Sequence, residues 1–320
     1  MGYELVGKLK LSRIDSGAIT SGELRDQESS PFPPEFDAAT YGAKYVDLRK
    51  QSPRNLWYHY RRYGRSEGRA ANRLENRQDF SDLIPKDRKT MEIGPFANPV
   101  LSGEQVDYAD CLCQADLIKR ASEIGIDGTR IPHIKYVLGQ TNLKDINVNY
   151  DAVFSSHCIE HQLDLIAHLI QAQHLIERNK GRYFLIIPDK RFCFDKQMAI
   201  STISEVIDAH EHPRSEHSLA RVIEHRAMTV HNDSAVHWQE REVNRPLKVE
   251  LDRIAPAILE WRKALNEGAY LDVHAWYFTP DSFVQLIDAL NQLGYIRLKI
   301  ERLYPTRCNA CEFWVILQSD

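Results

Sequence analysis

At 320 residues, with 43% hydrophobic and 27% charged positions, the chain is long enough for one α/β domain of roughly 200 residues plus smaller additions. This composition excludes a disordered, collagenous or coiled-coil polypeptide, and a formal net charge of -4 is too mild to point to a nucleic-acid partner. Six scattered cysteines are expected to be free thiols, and a charged N-terminus without any membrane-length apolar run argues for a cytoplasmic protein with no transmembrane segment.

Residues 1–35 are polar and turn-rich and end in Pro31-Phe32-Pro33-Pro34, which reads as a linker. Residues 36–80 are expected to form a small basic-aromatic helical module. Leu56, Trp57, Tyr60 and Tyr63 fall at helical spacing before Gly64, which is expected to stop the helix. The aromatic stripe reads first as the core of a helical hairpin, with a docking face as the other reading. Between Lys44 and Arg77 there are ten basic residues against three acidic ones, a surface suited to an anionic partner. The segment also resembles a short module found with bacterial glycosyltransferases, through Phe36-Asp37, Tyr41, Asp47-Leu48, His59-Tyr60 and Tyr63 to Arg69. That resemblance implies a glycosyltransferase partner.

From Lys89 onward, apolar strands alternate with amphipathic helices, the pattern of a parallel sheet with crossover helices. Strands are expected at 90–94, 106–110, 134–138, 150–155 and 182–187. After a long histidine-rich insertion come a helix at 282–293 and two further strands, 296–303 and 312–317. Thr279 is the expected N-cap of that helix, with Pro280 at its first position.

Glu92, followed by Gly94, is placed where a strand delivers a carboxylate to the ligand edge of an open α/β sheet. Asp110 closes the next strand, a position from which a carboxylate accepts a ribose diol. A nicotinamide-dependent dehydrogenase shares that pair but needs G-x-G-x-x-G in the first turn. Here the turn is Gly94-Pro95-Phe96-Ala97-Asn98-Pro99, with a single glycine.

Glu92 to Phe96, Tyr150 to His161 and Gly181 to Asp189 resemble, in order, three motifs of the class I S-adenosylmethionine-dependent methyltransferases. The resemblance implies an α/β fold: a seven-stranded, mostly parallel Rossmann-like sheet in a methyltransferase domain at 81–320, with the helical N-terminal unit and a helical, acceptor-binding insertion at 190–275. It implies S-adenosylmethionine as cofactor, with Glu92 and Gly94 at its methionine end, Phe96 among the cofactor-binding residues, Asp110 on the ribose, Asn142 near the adenine, and Ser155, Ser156 and His157 between cofactor and acceptor.

Within the insertion, the segments Pro188 to Asp195 and His231 to Trp238 resemble a subgroup associated with surface-polysaccharide biosynthesis. This implies O-methylation of a sugar hydroxyl in a glycan or nucleotide-sugar acceptor. Asp189, Arg191, Asn232 and Asp233 are expected to grip the hydroxyls, with Trp238 under the sugar face and His231 or His237 as general base. His274 and the aromatics after it are expected to close the pocket. His157 and His161, four apart, lack a third ligand of matching spacing, so no metal site is expected. A non-catalytic methyltransferase-fold partner of glycosyltransferases, or a methyltransferase acting on another small molecule, are the competing readings.

Overall fold

A computed structural model describes residues 32–138, 143–240, 248–268 and 271–319. Asn142 lies outside the described residues, as does most of the expected N-terminal linker.

The helical unit comes first, with α1 (Ala38–Lys44), α2 (Pro53–His59) and α3 (Arg77–Ser81). Asp37 caps α1 by accepting from Ala39 and Thr40, and Ser52 caps α2 by accepting from Asn55, with Pro53 opening the helix. Phe36, Tyr41, Leu48, Leu56, Tyr60 and Ala71 make the unit's own core. The aromatic stripe is therefore packing, as its spacing suggested, except that Tyr63 points to solvent.

The helix ends at Gly64, as expected, but through a π turn, Tyr60–Gly64, and a Cβ on Gly64 would fall 2.0 Å from the Tyr41 hydroxyl. The glycine therefore also serves close approach.

The unit is bolted to the rest of the molecule. Gly68, at φ +67°, accepts through its carbonyl from the Cys308 amide, and a Cβ there would lie 2.4 Å from that nitrogen and 2.6 Å from the Trp238 ring. Much of the basic surface is spent on pairing: Lys44 with Glu75, Arg69 with Asp47 and Glu67, Arg65 with Asp281, and Arg77 with Glu312. Arg49, Lys50, Arg54, Arg61 and Arg62 stay exposed.

The main domain contains β1 (Thr90–Ile93), β2 (Val106–Asp110), α4 (Gln114–Glu123), β3 (Tyr136–Val137), β4 (Ala152–Ser156), α5 (Leu165–Ile176) and β5 (Arg182–Pro188). The insertion supplies α6 (Ile203–Glu211), α7 (Leu219–Ala227), α8 (Ser234–Gln239) and α9 (Leu251–Glu267). Then follow α10 (Pro280–Gln292), β6 (Leu298–Tyr304) and β7 (Glu312–Ser319). Thr279 and Ser282 cap α10 reciprocally, with Pro280 at its start, as expected.

The sheet order is β3-β2-β1-β4-β5-β7-β6. β7 runs antiparallel to both neighbours and the other pairs are parallel. This is the seven-stranded, mostly parallel α/β sheet anticipated from the strand pattern. β5 is buried along its whole length, as a central strand covered on both faces must be. The third strand is shorter than expected: Ile134 leaves the ladder to pack with Leu117, Ala121 and Ile131 under α4.

Replacing Gly64 with Ala is expected to destabilise the protein by ~1–3 kcal/mol, the usual cost of overpacking. Equilibrium urea unfolding followed by tryptophan fluorescence would show a lowered midpoint. An unchanged midpoint would mean that the Tyr41 contact tolerates a methyl group.

Candidate functional site

In an open α/β sheet, ligands bind beyond the carboxyl ends of the strands where the strand order reverses. Here that point lies between β1 and β4, because β1 leads outward to β2 while β4 leads the other way to β5. Gly94 follows β1 at φ +71°, and a Cβ there would come 3.3 Å from the Cys158 sulfur in the turn after β4. Both halves of the sheet thus meet at a bare stretch of backbone. Phe96 and His157, at φ 39° and φ 50°, hold left-handed backbone conformations on either side of it, where L side chains are uncommon.

Glu92 is buried and does not face open space. Its two oxygens accept from the Val100 and Leu101 amides, both at 2.9 Å, so it folds the loop after β1 back onto the strand. Burial pushes its carboxyl up to about 7 in spite of those two bonds. Asp110 ties the same loop to β2: it accepts from the Phe96 amide at 3.2 Å and the Cys111 amide at 2.7 Å. The Cys111 thiol also reaches Oδ1 at 3.3 Å, so much of this carboxylate's accepting capacity is taken up locally.

After β4 the expected trio divides. The Ser155 hydroxyl is turned into the core, 2.8 Å from the Tyr183 hydroxyl, which in turn lies 2.8 Å from His168 Nε2; it does not line the cleft. Ser156 ends the strand half-buried. His157 sits at the edge with Nε2 2.9 Å from Glu312 Oε2, and Arg77 Nε donates to Glu312 Oε1 at 2.8 Å. Burial would raise Glu312, but the bonds from His157 and Arg77 outweigh it and hold the carboxyl at about 2.

The residues expected to grip an acceptor are engaged internally. Asp189 is fully buried and accepts from the Arg191 guanidinium and the Thr306 hydroxyl. Asn232 accepts from the Phe194 amide, and Asp233 caps α8. Trp238 stacks on Phe192 with centroids 3.9 Å apart and donates to the Ala310 carbonyl, so that ring face is already covered. His237 Nε2 lies 2.8 Å from the His231 carbonyl, and the two imidazoles stack at 4.1 Å. These two histidines pack on each other.

A different group of histidines converges. Glu160 and His161 lie in the short turn Ile159–His161 after β4, held by the Ala275 and Trp276 amides donating to the Glu160 carbonyl. That brings in His274, whose Nε2 is 3.9 Å from Glu160 Oε1, while His161 Nε2 is also 3.9 Å and His157 Nδ1 3.7 Å from it. Asp195, from the loop after β5, lies 2.6 Å from His274 Nδ1, and Asp272 lies 3.2 Å from His161 Nδ1. Burial pushes His217 and His225 down to about 4, with the charge of neighbouring histidines adding to it, so both are neutral near pH 7. Burial opposes charge on His161 too, yet Asp272 and Glu160 carry its pKa above the ordinary value. Beside the cluster lies a cavity of about 230 Å³ lined by Leu163, Arg214, His217, Glu224 and Trp276.

Sequence reasoning does not single out Glu160, Asp195 or Asp272 as site residues, weighs His161 only as a partner of His157, and treats His274 only as closing the pocket. Their one sequence signal was that each sits in a segment already singled out or beside one.

No family model matches the chain, and no curated protein matches it. Among solved structures it is similar to the CcbJ methyltransferase from Streptomyces caelestis, with 10% identity over 80% of this chain and 95% of that one, at a TM-score of 0.35. An S-adenosylmethionine-dependent methyltransferase from Clostridium acetobutylicum shows 8% identity over 84% and 99%, at 0.36. A protein described as a Zn-dependent alcohol dehydrogenase from Rhodobacter sphaeroides shows 13% over 78% and 91%, at 0.38. Likenesses this loose carry no functional argument; the strand order and the residues at its edge do.

Glu312→Gln is expected to cost ~3 kcal/mol at pH 7, because it strips a buried partner from Arg77 and His157. Since the folded carboxyl titrates at about 2 and the free one near 4.5, its contribution is complete above pH 4.5 and disappears as the pH falls toward 2. Urea midpoints measured from pH 7 to pH 3 should converge for the two proteins. Parallel curves would show that the Glu312 charge contributes nothing.

Proposed function

We propose that this chain is an S-adenosylmethionine-dependent methyltransferase acting on an oxygen nucleophile, a sugar hydroxyl of a bacterial surface glycan or its precursor. The observation that carries the reading is the turn after β4. One end of it, Cys158, meets Gly94 at the switch point, and the other end, Glu160 and His161, builds the histidine–carboxylate cluster. A cofactor site and an acceptor site therefore share one short segment, as methyl transfer in line requires.

The described residues fit the cofactor in part. Asp110 ends β2 next to β1 at the ligand edge of the sheet, and the chain at Gly94 is free of side-chain bulk. Glu92 acts indirectly, by shaping the loop whose amides face the site. When bound, S-adenosylmethionine supplies a methyl group on a sulfonium, open to displacement by an oxygen. A hydroxyl must become more nucleophilic for that displacement, and the Glu160 cluster is the group placed to do it. This reading moves the activating role from His231 and His237, which are engaged with each other, to Glu160, His161 and His274.

The sugar acceptor is supported by the sequence resemblance of the N-terminal module and of the insertion. The glycosyltransferase partner is supported by the resemblance of the helical unit and by the exposed Arg49, Lys50, Arg54, Arg61 and Arg62. No helix among the described residues is long and apolar enough to cross a membrane.

Isothermal titration of the purified chain should show binding of S-adenosylmethionine and not of NAD. Asp110→Ala should weaken it by at least about tenfold, or ~1.4 kcal/mol. Glu160→Gln should bind the cofactor normally and lose methyl transfer to glycan. Binding of NAD in its place would overturn the proposal. Glycans from a deletion strain should lack one methyl group by mass spectrometry, and an unaltered glycan mass would overturn the sugar acceptor.

A further inference from the structure

A buried carboxylate normally collects hydrogen bonds, and an ionised one without them is expensive enough that structures rarely keep it. Glu160 is fully buried, and neither of its oxygens meets a hydrogen-bond donor among the described residues. Imidazole nitrogens surround it: His157 Nδ1 at 3.7 Å, whose ring is already held by Glu312 through Nε2, and then His161 Nε2 and His274 Nε2, each 3.9 Å away. The His161 and His274 rings stand perpendicular, with centroids 4.6 Å apart.

The far side of each of these two imidazoles carries a carboxylate. Asp195 Oδ2 lies 2.6 Å from His274 Nδ1, and Asp272 Oδ1 lies 3.2 Å from His161 Nδ1. A metal-ligating histidine characteristically gives its second ring N–H to a carboxylate, which fixes the tautomer and turns the other nitrogen's lone pair toward the ion. His274 is arranged that way, Asp272 stands at the corresponding place beside His161, and in each ring it is Nε2 that lies 3.9 Å from the orphaned carboxylate.

We propose that Glu160, His161 and His274 form a binding site for a divalent transition metal of the zinc type, with Asp195 and Asp272 orienting its two histidines.

Two imidazoles and one carboxylate are a known donor set for zinc sites that keep a coordination position open. Donor atoms at a tetrahedral zinc lie about 3.4 Å apart, given bonds near 2.0–2.1 Å. The observed 3.9 Å separations thus close by roughly half an ångström on binding. The second histidine–carboxylate group, His231, His237 and Glu240, is a poorer host. Glu240 already pairs with Lys196 at 3.3 Å, and His237 Nε2 faces a carbonyl.

Metal binding by these residues stands apart from the methyltransferase reading. Only the further role depends on it, in which the open position takes the acceptor hydroxyl and the ion lowers its pKa.

The test uses the full chain stripped with a chelator and titrated with zinc chloride, then with cobalt chloride for its absorption spectrum. One equivalent of zinc is expected to bind, and X-ray absorption at the zinc edge should show two imidazoles and no sulfur. Glu160→Gln and His274→Asn should weaken zinc binding at least a hundredfold. Asp195→Asn should weaken it about 10–100-fold, the usual effect of removing an orienting partner. His237→Asn should leave binding unchanged. The wild-type spectrum needs no variant to fold, so absence of binding, or a site containing sulfur or lacking imidazole, overturns the proposal. So does zinc binding lost with His237→Asn and kept with Glu160→Gln. Zinc bound as described without methyl transfer would overturn only the proposed activity.

Discussion

Burying Glu160 with no hydrogen-bond donor costs several kcal/mol unless a cation or a proton compensates it, and much of this architecture exists to bring compensation within reach. The turn after β4 puts the carboxylate at the edge of the sheet. The segment before α10 crosses over it and donates two amides to its carbonyl, which fixes where His274 falls. The loop after β5 then delivers Asp195 to His274. Three stretches of chain are thereby pinned to one another around a single side chain, and the helices of the insertion close over them.

The loop after β1 is organised by the same means, with satisfied rather than orphaned charge. Glu92 gathers two amides of this loop and Asp110 gathers a third, from Phe96, so carboxylates on two neighbouring strands shape it. Left-handed backbone at Phe96 and His157 marks the two sides of the bare stretch at Gly94. Strain of this kind persists where the surrounding structure over-determines it.

Much of the fold was legible because strands and helix starts are local. Alternating apolar runs located the seven strands, and Thr279 with Pro280 announced α10 within one turn of chain. Glu92, Gly94 and Asp110 were legible for the same reason, each being defined by its place at a strand end. The cluster was not legible in this way. Glu160, Asp195 and His274 belong together only after β4, β5 and α10 are set side by side, and no spacing along the chain encodes that. The reverse error affected Trp238, Asn232 and Asp233, which looked like a binding motif because they were close in sequence. In the folded chain each is consumed by a neighbour: Phe192, the Phe194 amide and the first turn of α8. Gly64 and Gly68 belong to the same class, since what they make room for, Tyr41 and Cys308, lies elsewhere in the chain.

The contact at Gly68 also bears on how the molecule holds together. Its α-carbon occupies a gap bounded by the Cys308 backbone and the Trp238 ring, so the helical unit, the β6–β7 connection and helix α8 meet at one glycine. A side chain there would have to push aside backbone on one side and an indole on the other. The N-terminal unit therefore works as a keystone: whatever displaces it also displaces the connection that carries Cys308 and the helix that carries Trp238.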